Sequence, residues 1–315
     1  MKKEKNYLIE FWRVMFCITV LGVHFGTATN RDWFHSAYMG VEYFFLVSGY
    51  FTGAYYMKHM NGKPFSERMK SLWDYFYSRV KRLFPMYWVG MAFMVIVRLF
   101  LKQYTLSMLP GLLKRSFLEL FMLQWIPVGD LFGYETEIIV STNWFMPAIF
   151  FGSLIVVFLL ALFGKWQGLL IGPIITFSVY GYFMAKINKF DIIISYYSII
   201  RGVAAVSIGV FVYFLVQTIS FEKNREKQWF MNLCTILSTV LFTVVFVYTI
   251  VGHHGKGDFL MSAVLALGLF ILNSSKPVAM PKWFGKVFGF IGGQTFTIYQ
   301  LHFPIIQVLV AIFYH

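Results

Sequence analysis

Long apolar segments, separated by short polar ones, follow one another along nearly the whole chain. Each is close to the roughly 20 residues with which an α-helix crosses a bilayer, and none shows the alternation of a membrane β-strand. The pattern therefore predicts an all-α fold, a polytopic bundle of transmembrane helices. We place nine spans at about 7–27, 38–57, 83–101, 143–163, 168–185, 196–217, 229–250, 258–273 and 288–313.

The segment Thr105–Val128 leaves the count between nine and ten spans. It is apolar, but it contains a Pro-Gly pair at 110–111, two basic residues at 114–115 and Glu119. A tenth span, a re-entrant segment and an interfacial helix all agree with this composition. We expect nine spans, because the later basic loops then fall on the cytoplasmic side as the positive-inside rule requires.

The composition excludes a soluble protein. Of the 315 residues, 58% are hydrophobic and 13% charged, and the spans leave no stretch for a soluble catalytic domain. We expect a single integral-membrane domain over residues 1–315. Cys17 and Cys234 lie in apolar runs, where cysteine behaves as a small buried hydrophobe.

The formal net charge of +13 comes from Lys and Arg residues placed between the spans. This placement indicates membrane topology first, anionic lipid headgroups second and an anionic co-substrate third, and it gives no reason to expect nucleic acid. The strongest basic cluster lies at 58–82. We therefore predict a multi-pass protein of the plasma membrane, with this loop and the N-terminus in the cytoplasm.

The first span carries two ionisable residues, Arg13 and His24. Eleven residues amount to about three turns and 20°, so both side chains share one helix face, about 16 Å apart along the axis. Such groups inside a membrane usually face a bundle interior or a wet cavity. The alternative is an interfacial arginine and a histidine that is simply packed among helices.

Glu42 begins the second span at the same outer end as His24, and the loop Thr27–Ala37 between the spans is short. The two side chains are therefore expected to meet. A carboxylate that binds one imidazole nitrogen supports the other nitrogen as a general base. The alternative is a Glu42 that faces headgroup water. We expect Cys17 to lie on the opposite side of the helix from His24 and to form no covalent intermediate.

Two neighbouring sites are candidates for binding a ligand. Ser48 and Gly49 interrupt an aromatic run, which favours either close helix packing or space for a ligand chain. Arg79 and Arg82, with Lys81 between them, precede Pro85, which suits the first turn of a span. Two guanidinium groups beside a helix start would bind phosphate, although basic residues also anchor proteins to membranes.

Three later features have a less specific meaning. Arg201 lies within a span, so we expect an anionic or carbonyl partner for it. His302 stands alone in an apolar helix, where a core role and a catalytic role are both open. The adjacent His253 and His254 point apart and have no carboxylate cluster beside them, so we predict no metal site.

These motifs, in this order, resemble those of the membrane acyltransferase 3 family. The match consists of Arg-x10-His at 13–24, GVEYFFLVSGY at 40–50 and R-x-x-R-L-x-P-x-Y at 79–87. It continues with the Arg-Gly pair at 201–202 and Y-x-x-H-x-P at 299–304. Glu42 stands where the family more often has Asp. Many members carry a Glu just after the segment that corresponds to residues 143–147, and this chain does not. The family is usually drawn with ten spans.

The resemblance implies an O-acyltransferase that moves an acyl group, commonly acetyl from acetyl-CoA, to a hydroxyl of a cell-envelope saccharide. It implies roles for three sets of residues. The catalytic set is His24, Glu42 and Arg13. The acyl-CoA set is Arg79, Lys81, Arg82, Ser48 and Gly49, and the acceptor-side or supporting set is Arg201, Tyr299, His302, Asn143 and Trp144.

A transporter or flippase of saccharide or lipid, without transferase chemistry, is the alternative function. Such proteins commonly carry inverted repeats with broken helices in corresponding halves, and the chain has no clear internal repeat. The sequence does not identify the acceptor, the length of the acyl chain or the oligomeric state. It also leaves open whether the acyl group is transferred directly or through an acyl-enzyme intermediate.

Overall fold

The computed structural model describes residues 6–124, 137–187, 197–219, 223–253 and 255–314. In these ranges the chain forms eleven α-helices and no strands. The helices are α1 Tyr7–Ala28, α2 Tyr38–His59, α3 Phe65–Phe100, α4 Leu109–Arg115, α5 Phe117–Leu120, α6 Phe145–Phe163, α7 Gly172–Tyr182, α8 Tyr197–Thr218, α9 Gln228–Val251, α10 Gly257–Ser274 and α11 Lys282–Phe313. Single π-helical turns, Gln167–Ile171 and Phe183–Ile187, extend α7 at both ends.

Eight of these helical segments in the described ranges are long and apolar enough to cross a membrane. They are α1, α3, α6, α7 with its π-turns, and α8 to α11. The remaining long helix, α2, is more polar and packs against α1, α6, α8 and α10. An all-α, multi-pass membrane bundle is thus confirmed, and the nine predicted spans each coincide with a long helical segment.

Helix α3 differs from the prediction because it runs without interruption from Phe65 to Phe100. Thirty-six residues make a helix of about 54 Å, well beyond the roughly 30 Å of a hydrocarbon core. Most of the predicted basic loop at 58–82 is therefore helical. Pro85 lies inside α3 rather than in a first turn, so no helix N-terminus lies beside Arg79 and Arg82, and that part of the phosphate argument is wrong.

The ambiguous segment contains only short helices in its described part, residues 105–124. It lies against α3, where the Tyr87 hydroxyl donates to the Glu119 carbonyl oxygen over 2.9 Å. The Glu119 carboxylate accepts hydrogen bonds from the backbone N–H groups of Ile139 (2.5 Å) and Val140 (3.1 Å). Burial raises the pKa of this carboxyl to about 7. The described part is therefore not a span but a folded segment tied to the start of α6.

Helices α2 and α8 cross at close range. A Cβ atom added to Gly49 would lie 2.1 Å from the Val206 carbonyl oxygen, and one added to Gly209 would lie 2.2 Å from the Leu46 carbonyl oxygen. Small residues at a crossing let two backbones approach this closely. The packing interpretation of Gly49 is confirmed. Its assignment to ligand binding is wrong, because the backbone of α8 fills the space beside it.

Candidate active site

A central cavity of about 260 Å³ opens between α1, α2, α3, α6 and α11. Three arginines line it, Arg13 from α1 and Arg79 and Arg82 from α3. We call these three side chains the basic mouth. Glu10, which lies one turn before Arg13, also lines the cavity. This end of the cavity is therefore lined by three basic side chains and one acidic side chain.

Neighbouring side chains hold two of the three arginines in place. Arg13 forms a 3.2 Å ion pair with Glu10. The Nη2 atom of Arg79 donates to the Tyr75 hydroxyl over 2.6 Å and to the Ser48 hydroxyl over 3.3 Å. Arg82 has no ion pair with any residue in the described ranges. Its charge is thus the one most available to a ligand.

Lys81 does not join the basic mouth. Its ammonium group lies 4.4 Å from the centroid of the exposed Tyr77 ring and does not line the cavity. The helical periodicity explains this, because Arg79 and Arg82 share one side of α3 and the residue between them points elsewhere. The expected role of Lys81 in binding an acyl-CoA is therefore not supported by its position.

Away from the basic mouth, the walls are mostly apolar. They are formed by Val20 of α1, Val41 and Phe44 of α2, and Phe145 and Met146 of α6, together with Cys17, Ile149, Phe296 and Tyr299. Cys17 was expected on the far side of α1, and this expectation is wrong. Seven residues are close to two full turns, so Cys17 and His24 lie on the same side of the helix.

Two histidines lie beyond this apolar end. The rings of His24 (α1) and His302 (α11) have centroids 5.1 Å apart. Val20 precedes His24 by about one helical turn, and Tyr299 precedes His302 by about one turn; both Val20 and Tyr299 line the cavity. His24 is half-buried, whereas His302 is 4% exposed. We call these two residues the histidine pair, and they adjoin the cavity wall opposite the basic mouth.

The predicted pairing of His24 with Glu42 is wrong. The Glu42 carboxylate is fully buried and forms a 3.3 Å ion pair with Arg201 of α8. It also accepts hydrogen bonds from the hydroxyls of Tyr180 and Ser262. Glu42 and Gly49 are seven residues apart, so both face the side of α2 that packs against α8 and not the cavity.

Arg201 has the partners that its position in a span requires. Besides the Glu42 carboxylate, its Nη2 atom donates to the Tyr38 carbonyl oxygen over 3.1 Å. Its Cζ atom lies 5.3 Å from the centroid of the Trp144 ring. The expectation of an anionic or carbonyl partner is confirmed. Arg201 and Trp144 are buried together behind the cavity.

The residues just before Trp144, Thr142 and Asn143, are tied to α11. The Tyr299 hydroxyl donates to the Thr142 carbonyl oxygen over 2.6 Å. The Thr142 hydroxyl and the Asn143 amide nitrogen are buried and have no hydrogen-bond partner in the described ranges. Buried polar groups without a partner are costly, and neither residue lines the cavity, so these two groups lie in the packed wall behind it.

Sequence reasoning missed Glu10, Tyr180 and Ser262. Glu10 had a signal, because a glutamate three residues before an arginine is spaced for a helical ion pair. Tyr180 and Ser262 had none, since each meets Glu42 only through the packing of distant helices. Among the described residues, no group of three or more His, Cys, Asp or Glu could hold a metal ion. His254 lies outside those residues.

A comparison with protein-family models identifies one match, described as "Acyltransferase domain", over residues 6–315. The match includes the basic mouth, the histidine pair and the Glu42–Arg201 ion pair. Comparison with curated proteins and with solved structures gives no significant match.

Proposed function

We propose, for a chain that belongs to the membrane acyltransferase 3 family, a specific reaction within that activity. The protein is a membrane acyltransferase. The donor would be an acyl-CoA, the group acetyl, and the acceptor a hydroxyl of a cell-envelope saccharide. The supporting observation is a cavity with three arginines at one end and two histidines beyond the other. Membership of an acyltransferase family leaves the transporter alternative without support.

The basic mouth suits the phosphates of CoA. Guanidinium groups bind phosphate through two parallel hydrogen bonds, and they do so more strongly where water is partly excluded. Arg79 is already oriented by Tyr75 and Ser48, and Arg82 forms no ion pair with any of the described residues. Arg13, paired with Glu10, would hold the inner part of the donor.

The size of the cavity indicates which part of the donor enters. At about 260 Å³ it is smaller than the roughly 300–1,000 Å³ of sites that enclose a drug-sized ligand. An extended pantetheine arm fits such a space, and its apolar walls suit the chain and the thioester. The nucleotide would stay at the basic mouth, on the cytoplasmic side of the plasma membrane that we propose for this protein.

The chemistry would take place at His24. The acceptor hydroxyl loses its proton to the imidazole while its oxygen attacks the thioester carbonyl, so that a C–O bond forms. The C–S bond then breaks, and the proton passes from His24 to the CoA thiolate. A general base of this kind contributes roughly 10²–10⁴-fold to the rate. The surrounding helices exclude water, which protects the thioester from hydrolysis.

The acceptor would lie on the same side as Asn143 and Tyr299. Asn143 is 1% exposed and does not line the cavity, so it would support the acceptor side from behind the wall rather than by direct contact. Trp144 and Arg201 would act indirectly by holding this segment in place, because their side chains are buried against each other. The role of Tyr299 would be to fix the Thr142 backbone through its hydroxyl.

The first experiment measures transfer from radiolabelled acetyl-CoA by the purified protein, with envelope polysaccharide as acceptor. We expect His24→Ala to lower kcat by about 10²–10⁴-fold without loss of folded protein. His59→Ala is the matched control, because His59 stacks on Tyr55 with centroids 4.5 Å apart, outside the cavity. Full activity of His24→Ala would contradict the assignment. Mass spectrometry of the polysaccharide identifies the acceptor and the acyl group.

A further inference from the structure

The histidine pair raises a question that the proposed function leaves open, namely what orients His24. A catalytic histidine is usually fixed by a carboxylate or carbonyl group at its second nitrogen. Glu42 cannot serve, because Arg201, Tyr180 and Ser262 occupy its carboxylate. The aromatic neighbours of His24 are His302 and Phe303, with ring centroids 5.1 and 6.0 Å away.

The contact between His302 and Tyr299 fixes the tautomer of His302. Its Nδ1 atom lies 2.5 Å from the Tyr299 carbonyl oxygen, one turn earlier in α11. A carbonyl oxygen only accepts, so Nδ1 must carry the hydrogen. In the neutral ring the lone pair is then on Nε2.

This lone pair lacks a partner. The Nε2 atom of His302 is buried and makes no hydrogen bond with any described residue. A buried acceptor without a partner is costly, because it has lost its hydrogen bonds to water and gained none in return. The side chain is 4% exposed, so its partner must come from a neighbouring side chain or from a bound substrate.

The spacing of the rings matches a hydrogen bond between them. Two imidazoles joined by an N–H···N bond of about 2.9 Å have centroids roughly 5 Å apart, and the observed separation is 5.1 Å. The ring planes are inclined by 39°. The structure shows no hydrogen bond at the Nε2 atom of His302, so the proposed bond requires the half-buried His24 ring to rotate until one of its nitrogens faces Nε2.

We propose that His302 is the positioning residue of the active site, with its Nε2 atom accepting a hydrogen bond from His24. This bond holds His24 in the tautomer whose other nitrogen faces the acceptor hydroxyl. When His24 takes the hydroxyl proton, its N–H bond to His302 stays in place and spreads the positive charge. The proposal rests on the proposed function, because it assigns a role within the same reaction.

Substituting His302 by Asn or by Gln separates the two hydrogen bonds that we assign to its ring. His302→Asn places a donor near the position of Nδ1 and keeps the bond to the Tyr299 carbonyl oxygen, but it has no acceptor at Nε2. His302→Gln places an acceptor near Nε2 and gives up the Tyr299 bond. His302→Phe keeps the ring and its packing, without any polar atom.

The experiment compares kcat and KM for these three variants, with thermal unfolding to check that each is folded. We expect His302→Gln to stay within about tenfold of the wild-type kcat, and His302→Asn and His302→Phe to lose about 10–100-fold with KM unchanged. In a His24→Ala background, His302→Phe should cause no further loss, since residues that act as a unit are not additive.

A packing role would give the opposite order, with His302→Phe active and His302→Gln impaired, and that order would overturn the proposal. A further loss in the His24→Ala background would also overturn it, because His302 would then act independently of His24. Failure of the proposed function is a separate outcome, since it is recognised by full activity of His24→Ala itself.

Discussion

At the scale of single residues, the Glu42–Arg201 ion pair is the feature whose stability depends most strongly on its surroundings. Both side chains have 0% exposure, so their charges depend entirely on each other and on hydrogen bonds from Tyr180, Ser262 and the Tyr38 carbonyl. Removing one partner of a buried pair typically costs about 3–5 kcal/mol, because the other charge is left uncompensated. The ion pair joins α2 to α8 beside Trp144, and we therefore expect its role to be structural.

We predict that Glu42→Gln lowers the thermal stability of the protein by the equivalent of about 3–5 kcal/mol. Adding Arg201→Met should recover part of that loss, because no unpaired charge then remains. Thermal unfolding in detergent measures both changes, and Glu67→Gln, at an exposed position of α3, is the control. Loss of kcat at unchanged stability would instead show that Glu42 acts in the chemistry.

At the scale of elements, the crossing of α2 and α8 decides which face of α2 meets the cavity. Gly49 and Gly209 lie at this crossing, and a Cβ on either would approach within 2.9 Å of the other's Cα atom. With that side of α2 against α8, Val41, Phe44 and Ser48 face the cavity. The same contact turns Glu42 towards Arg201. One close contact between two helices thus determines several side-chain environments.

We predict that Gly49→Ala lowers the free energy of unfolding by about 1–3 kcal/mol, the usual cost of overpacking. The atom that its methyl group would meet, the Val206 carbonyl oxygen at 2.1 Å, belongs to the backbone and cannot turn away. Gly181→Ala is the matched control in α7, where a Cβ would have nothing within 4 Å. Equal thermal stability of the two variants would contradict the tight crossing.

At the scale of the whole molecule, the site exists only because helices from both ends of the chain meet. The central cavity takes its walls from α1, α2, α3, α6 and α11. The basic mouth and the histidine pair are separated by about 16 Å, the distance along α1 between Arg13 and His24. In the proposed reaction, a thioester arm bound by its phosphates at one end would present its acyl group at the other.

We predict that Arg82→Ala raises KM for acetyl-CoA by about 10–100-fold with little change in kcat. This range corresponds to a hydrogen bond to a charged group, worth about 1.5–3 kcal/mol. Lys81→Ala is the control, because its ammonium group lies over Tyr77, outside the cavity. An unchanged KM in Arg82→Ala would exclude a phosphate role for this arginine.

The sequence by itself determined where the membrane-crossing segments lie and which ionisable residues they carry, but not that α3 begins at Phe65. In a bilayer every backbone group must be satisfied within its own segment, so apolar runs mark the spans locally. The same local periodicity placed Arg13 and His24 on one face of α1. The position of Arg201 inside an apolar span likewise indicated that it needs an anionic or carbonyl partner.

The tertiary structure decided which side chains meet. Glu42 and Arg201 are 159 residues apart, and His24 and His302 come from opposite ends of the chain. Burial makes each ionisable group depend on its nearest partner, and only the order in which the helices pack supplies that partner. For this reason Glu42 pairs with an arginine of α8 rather than with His24. His24 lies beside a second histidine, which the sequence of α1 could not predict.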